Sequence, residues 1–157
     1  MDTLRQLRLR QYARSLNVAR MESDPVTLEP LQPLRDLNVL VVEDDYLQAS
    51  ASAMALEESG ANVLGPVPDL EDARDVLEQI APDCVLLDLR LRDQYAFLLA
   101  DELRLRGIPI VLATGYDISV FPFTPQPEEC LLKPFSDAQL VRAVQTAMEH
   151  HRAAPVT

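Results

Sequence analysis

Glu43 and Asp44, Asp88, Thr114 and Lys133 each stand directly after a short apolar run. Between them they offer three carboxylates, a hydroxyl and an ammonium group. Asp88 is a carboxylate nucleophile, able to take a phosphoryl group and form an acyl phosphate. Glu43, Asp44 and Asp88 provide hard oxygen ligands in the small number that Mg²⁺ takes, with waters and phosphate oxygens filling the other positions. The metal would offset the repulsion among the acids and screen an incoming phosphate. Lys133 would place a point charge on one phosphoryl oxygen, and the Thr114 hydroxyl would donate to another. Lys133 is also the single lysine among 14 basic residues, retained where it would face carboxylates. A plain Lys133 to Asp88 salt bridge would use the same residues. Asp45, directly before a helical pattern, reads as a helix cap.

These residues need elements that bring them together. Val39 to Val42 is an apolar, β-branched run suited to a strand covered on both faces. Tyr46 to Ser59 reads as a helix closed by Gly60. Asn62 to Val67 forms the second strand. A helix opened by Pro68-Asp69 follows, with Leu70, Ala73, Val76, Leu77 and Ile80 on one face, and Pro82 ends it. Cys84 to Leu87 is the third strand and delivers Asp88. A third helix is expected from about Tyr95 to Arg106, then a fourth strand from Ile108 to Ala113 ending at Thr114. Leu131-Leu132 marks the fifth strand, ending at Lys133, and Ser136 caps a last helix to about His150. Five strands alternating with helices imply a doubly wound parallel sheet. If the first strand is central and the crossovers are right-handed, the first, third, fourth and fifth strands are neighbours about 4.8 Å apart. Their carboxyl ends then converge on one crevice.

With 157 residues and 48% hydrophobic content the chain supports one globular domain plus excess at an end. Residues 1–20 carry a net +4, with apolar positions at helical spacing, and read as a basic amphipathic segment; −15 remains for the rest. Residues 21–36, with Pro25, Pro30 and Pro33, suit an extended linker. The globular domain is expected over 37–152, with 153–157 as a tail. The overall charge of −11 argues against general nucleic-acid binding. With no long apolar run and no signal-peptide pattern, membrane insertion is not expected and a cytoplasmic location is. Cys84 and Cys130 fall in strands without metal-ligand spacing and read as core thiols.

Residues 37–152 resemble a two-component response-regulator receiver domain. The resemblance is carried by Val41-Val42-Glu43-Asp44-Asp45, Leu86-Leu87-Asp88-Leu89, Ala113-Thr114-Gly115 and Leu132-Lys133-Pro134-Phe135. It implies the flavodoxin-like strand order 2-1-3-4-5. It also implies that Asp88 accepts a phosphoryl group from a sensor histidine kinase or phosphotransfer protein. Mg²⁺ would be held by Asp44, Asp88 and the backbone carbonyl of Arg90, with Glu43 acting through water, and the Lys133 to Pro134 bond would be cis. Asp88-Leu89-Arg90-Leu91 and Ala113-Thr114-Gly115-Tyr116 are most similar to stand-alone receivers of alphaproteobacterial signalling. Since the sequence given carries nothing after Thr157 to bind DNA, output is expected through protein contacts with an unnamed downstream partner, a homodimer being one arrangement left open. On this reading the protein is a phosphoacceptor and not an enzyme beyond its own phosphorylation and dephosphorylation.

Two features depart from the family pattern. Receivers place an aromatic switch residue three positions before the lysine, where this chain has Cys130. Pro122, Pro125 and Pro127 leave room for little more than a helical turn near 117–121 after the fourth strand. These departures sustain an alternative, a receiver-like interaction module that works without phosphorylation. An aspartyl-phosphate phosphatase of the haloacid dehalogenase type would use the same groups, but its nucleophile closes the first strand. Tyr116 and Arg90, two residues after Thr114 and Asp88, are placed either to tune the acyl phosphate lifetime or simply to line the rim.

Overall fold

The computed structural model describes residues 31–116, 119, 125 and 130–154. The element order is β1 (Asn38–Val42), α1 (Tyr46–Glu58), β2 (Asn62–Val67), α2 (Leu70–Gln79), β3 (Cys84–Asp88), β4 (Arg90–Leu91), β5 (Gln94–Tyr95), α3 (Phe97–Leu105), β6 (Ile110–Thr114), β7 (Cys130–Leu132) and α4 (Asp137–Ala153). The main sheet is parallel in the order β2-β1-β3-β6-β7, the expected 2-1-3-4-5 arrangement with β6 and β7 as fourth and fifth strands. The basic segment 1–20, most of the proline-containing linker, the short turn expected near 117–121 and the tail 155–157 lie outside the described residues, Ser119 apart.

The apolar strands divide their side chains between two cores, as period-two geometry requires. Val39 and Val41 of β1, Cys84 and Leu86 of β3, and Val111 and Ala113 of β6 pack in one cluster with Leu56 of α1 and Leu140 and Val144 of α4. Leu40, Val42, Val85, Leu87, Ile110 and Leu112 enter the other, against Ala73 of α2 and Leu99 and Leu103 of α3. Both faces of the central strands are therefore dry, which explains the near-continuous apolar runs.

Local chemistry sets the boundaries. Asp45 caps α1 by accepting from the Gln48 amide at 2.9 Å, Asp69 caps α2 through the Asp72 amide, and Ser136 forms a capping box with Gln139 on α4. Gly60 leaves α1 at φ +96°, the left-handed conformation of a helix terminus. In edge strand β2, Gly65 and Pro66 together oppose Val41, a bulge between the Leu40–Leu64 and Val42–Val67 pairs. Gly65 has φ +85°, and a Cβ there would lie 2.7 Å from the Val67 nitrogen, so only glycine fits without a shift.

Three boundaries differ from the sequence expectation. The third helix begins at Phe97, because Gln94–Tyr95 pair with Arg90–Leu91 as a two-stranded hairpin, with Leu91 buried and the Ala96 amide bonded to the Leu89 carbonyl. The fourth strand starts at Ile110, since Pro109 has no N–H to give and contributes only its carbonyl, to the Val85 amide. The packed unit also starts upstream of 37. Leu34 is fully buried in the α1–α4 core, its amide bonded to the Ser59 carbonyl, while the Asp36 amide bonds the Gly60 carbonyl. Residues that read as linker thus cover the end of α1. Leu34→Ala should destabilise the fold by about 2–5 kcal/mol, the usual cost of emptying a core leucine site. Urea unfolding checks this, and an unchanged midpoint would return residues 32–36 to the linker.

Candidate functional site

Four strand ends supply the site. β1 runs directly into Glu43 and Asp44, β3 ends on Asp88, β6 on Thr114, and Lys133 follows β7. The pairing of Asp88 with Ala113 and of Thr114 with Leu132 keeps the last three at one level of the sheet. Lys133 and Pro134 are joined by a cis bond.

Lys133 is the electrostatic centre. Its Nζ donates to Glu43 Oε2 at 2.6 Å and to Asp88 Oδ2 at 3.0 Å. The plain salt bridge allowed by the sequence is thus present, but it is forked between two acids. Glu43 Oε1 also accepts from the Asp45 amide at 3.0 Å, and Asp88 Oδ1 accepts from the Arg90 amide at 2.9 Å. Glu43, Asp88 and Thr114 are all buried. Burial pushes the Glu43 carboxyl up to about 7, against the pull of Lys133. For Lys133, burial lowers the pKa, and the two carboxylates together raise it by more, so the ammonium is held above the ordinary lysine value.

Asp44 completes the acidic group. Ligand oxygens of Glu43, Asp44 and Asp88 lie within 4.8 Å of one another. Three hard oxygens from the ends of two adjacent strands, one of them on a less buried residue, suit a small divalent cation such as Mg²⁺. Arg90 reaches this group through its backbone amide.

Thr114 Oγ1 accepts from the Tyr116 amide at 3.1 Å. Tyr116 and Arg90, considered separately in the sequence, are joined: Arg90 Nη1 donates to the Tyr116 hydroxyl at 2.6 Å, and the guanidinium carbon lies 5.9 Å from the ring centroid. Sequence reasoning missed Arg92. It occupies the turn of the β4–β5 hairpin at φ +53° and donates its amide to Asp44 Oδ2 at 2.8 Å. The alternation of Leu89 and Leu91 with Arg90 and Arg92 is a period-two signal that could have revealed the hairpin. Cys84, buried in β3, has its thiol pushed up to about 12 by burial and is an inert core residue.

The response regulator receiver domain family matches residues 39–145, and the chain belongs to that family. The sensory transduction protein LytT of Bacillus cereus is 34% identical over 113 residues, covering 69% of this chain and 46% of the relative. The transcriptional regulatory protein PdtaR of Mycobacterium tuberculosis is 29% identical over 118 residues, covering 73% and 58%. The chain spans about half the length of these relatives. Among solved structures, the response regulator PhyR of Brucella abortus superposes with a TM-score of 0.68 at 23% identity, over 78% of this chain and 52% of that one. The receiver domain of a Pseudomonas aeruginosa sensor histidine kinase, which has a magnesium ion coordinated in its active site cleft, gives 0.62 at 24% identity, over 73% and 98%. At these identities the structures establish the receiver fold. Receiver domains are the signalling modules of two-component response regulators. Among the described residues, no helix is long and apolar enough to cross a membrane.

The raised Glu43 pKa has a consequence for stability. The folded state keeps a proton that the unfolded chain releases near 4.5. Its contribution is therefore complete below about 4.5 and is lost as the pH rises through about 7. In EDTA, the urea midpoint of the wild type relative to Glu43→Gln should fall between those pH values and then level off. A difference that stays flat or rises over that window would overturn the assignment.

Proposed function

We propose that the protein is a phosphoacceptor response regulator that takes a phosphoryl group from a histidine kinase or phosphotransfer protein onto Asp88. The observation that carries this reading is the convergence of Glu43, Asp44 and Asp88 around a Lys133 forked between two of them. An Asp88 oxygen attacks the phosphorus of the donor's phosphohistidine. The new P–O bond forms as the P–N bond breaks, and the electron pair leaves with the imidazole nitrogen. Lys133, already on Asp88 Oδ2, is placed to neutralise charge on the phosphoryl group. Thr114 receives its hydrogen bond from Tyr116, which leaves its own hydroxyl proton as a donor toward a phosphoryl oxygen.

When bound, Mg²⁺ would neutralise charge on the phosphoryl oxygens. Asp44 and Asp88 would bind it directly, with the Arg90 carbonyl as a further ligand and Glu43 acting through water.

Beside Lys133, a groove of about 370 Å³ runs between α1 and α4, its floor of Ala51, Pro134, Phe135 and Leu140 flanked by the polar Gln48, Ser52 and Asp137. Tyr46 and Leu47, 81% and 77% exposed, stand on the same helix α1. This surface suits the apolar face of a donor helix. The phosphate adds roughly −1.5 to −2 charges, and output then runs through protein contacts in the cytoplasm. A receiver-like module that signals without phosphorylation is the second reading, favoured by Cys130 at the position of the family's switch aromatic.

With Mg²⁺ and a small acyl phosphate donor, the wild type should become phosphorylated and Asp88→Asn should not; equal labelling of both would refute the proposal. The Arg90–Tyr116 bridge links the residues whose amides hold Asp88 and Thr114, and it would limit water access to the acyl phosphate. Tyr116→Ala should shorten the phosphoprotein half-life severalfold, with Tyr116→Phe falling between, as followed by phosphoprotein decay after donor removal. Unchanged half-lives would leave Tyr116 as a rim residue.

A further inference from the structure

Two backbone amides of one hairpin grip two of the three carboxylates. The Arg90 amide holds Asp88 Oδ1 at 2.9 Å, and the Arg92 amide, two residues on, holds Asp44 Oδ2 at 2.8 Å. The second bond depends on an unusual conformation. Arg92 sits at φ +53°, a region that L-residues enter rarely and that β-branched residues essentially avoid. Its side chain is exposed. What the position contributes to the site is therefore the direction of its N–H.

The hairpin has reason to stay in place. Leu91, between the two donors, is buried in the α2–α3 core with Leu89 and Ala96, and the Ala96 amide closes the hairpin base on the Leu89 carbonyl. Asp44 lies 48 residues away in sequence and follows a different strand. The hairpin orients the Asp44 carboxylate from outside its own strand.

We propose that Arg92 is a positioning residue whose left-handed backbone aims its amide at Asp44, and that the β4–β5 hairpin thereby sets the affinity of the acidic site for Mg²⁺. The bond fixes one Asp44 oxygen, Oδ2, and with it the orientation of the carboxylate. This rests on the metal role given to Asp44 above. A ligand held in one orientation loses little freedom when the cation binds, and a carboxylate released from its donor must be ordered at that moment.

The test is Mg²⁺ binding by calorimetry on the full chain, with no phosphodonor present. Arg92→Gly and Arg92→Asn accept the left-handed conformation and should bind within about twofold of the wild type. Arg92→Val, which resists it, should bind about tenfold or more weakly, the scale of one hydrogen bond to a charged group. Equal binding by Gly and Val variants would overturn the proposal, and so would equal losses in all three, which would assign the effect to the side chain. If the wild type binds no Mg²⁺, the metal role of Asp44 falls first and the proposal falls with it. Should Arg92→Val fail to fold, amide hydrogen exchange decides. Asp44→Ala should accelerate exchange at residue 92 by about tenfold or more while leaving α2 unchanged, and unchanged exchange at residue 92 would overturn the inference.

Discussion

Everything at the carboxyl edge of this sheet answers to one constraint, the repulsion among three carboxylates gathered within 4.8 Å. At that separation two unit charges repel by at least about 3 kcal/mol even at an effective dielectric near 20. The fold meets this with one ammonium and three backbone amides. Lys133 is shared by Glu43 and Asp88, while the amides of Asp45, Arg90 and Arg92 go to Glu43, Asp88 and Asp44. A raised Glu43 pKa records how far burial still prevails over that compensation.

The compensation comes from distant parts of the chain, which ties the chemistry to the topology. Lys133 is 90 residues from Glu43, and it arrives only because β7 pairs with β6, β6 with β3, and β3 with β1. The two cores hold those strands rigidly from both faces. A site built on strand ends inherits that rigidity, and a receiver's reacting groups can be preorganised while its connecting loops vary.

The β3–α3 connection supports the acidic group by a further route. A loop could have left Asp44 to solvent. Instead a hairpin, pinned by Leu91, turns the backbone into a pair of directed donors, at the expense of a left-handed arginine. Strain retained at a site by a well-packed surround is the pattern expected where geometry matters to function. Arg90 takes part twice, by its amide on Asp88 and by its guanidinium on Tyr116.

The sequence by itself determined the alternation of strands and helices, the caps at Asp45, Asp69 and Ser136, and the placing of Glu43, Asp44, Asp88, Thr114 and Lys133 at strand ends. Each of these is written in local periodicity or in a side chain's bond to a neighbouring amide. Tertiary structure alone decided that Lys133 forks between two acids, that Arg90 and Tyr116 join, that Arg92 holds Asp44, and that Leu34 belongs to the core. The reason is physical. These contacts run between backbone and side-chain groups far apart in sequence, and the direction of an amide or the cover over a helix end is set by how the elements pack. No local residue pattern encodes it.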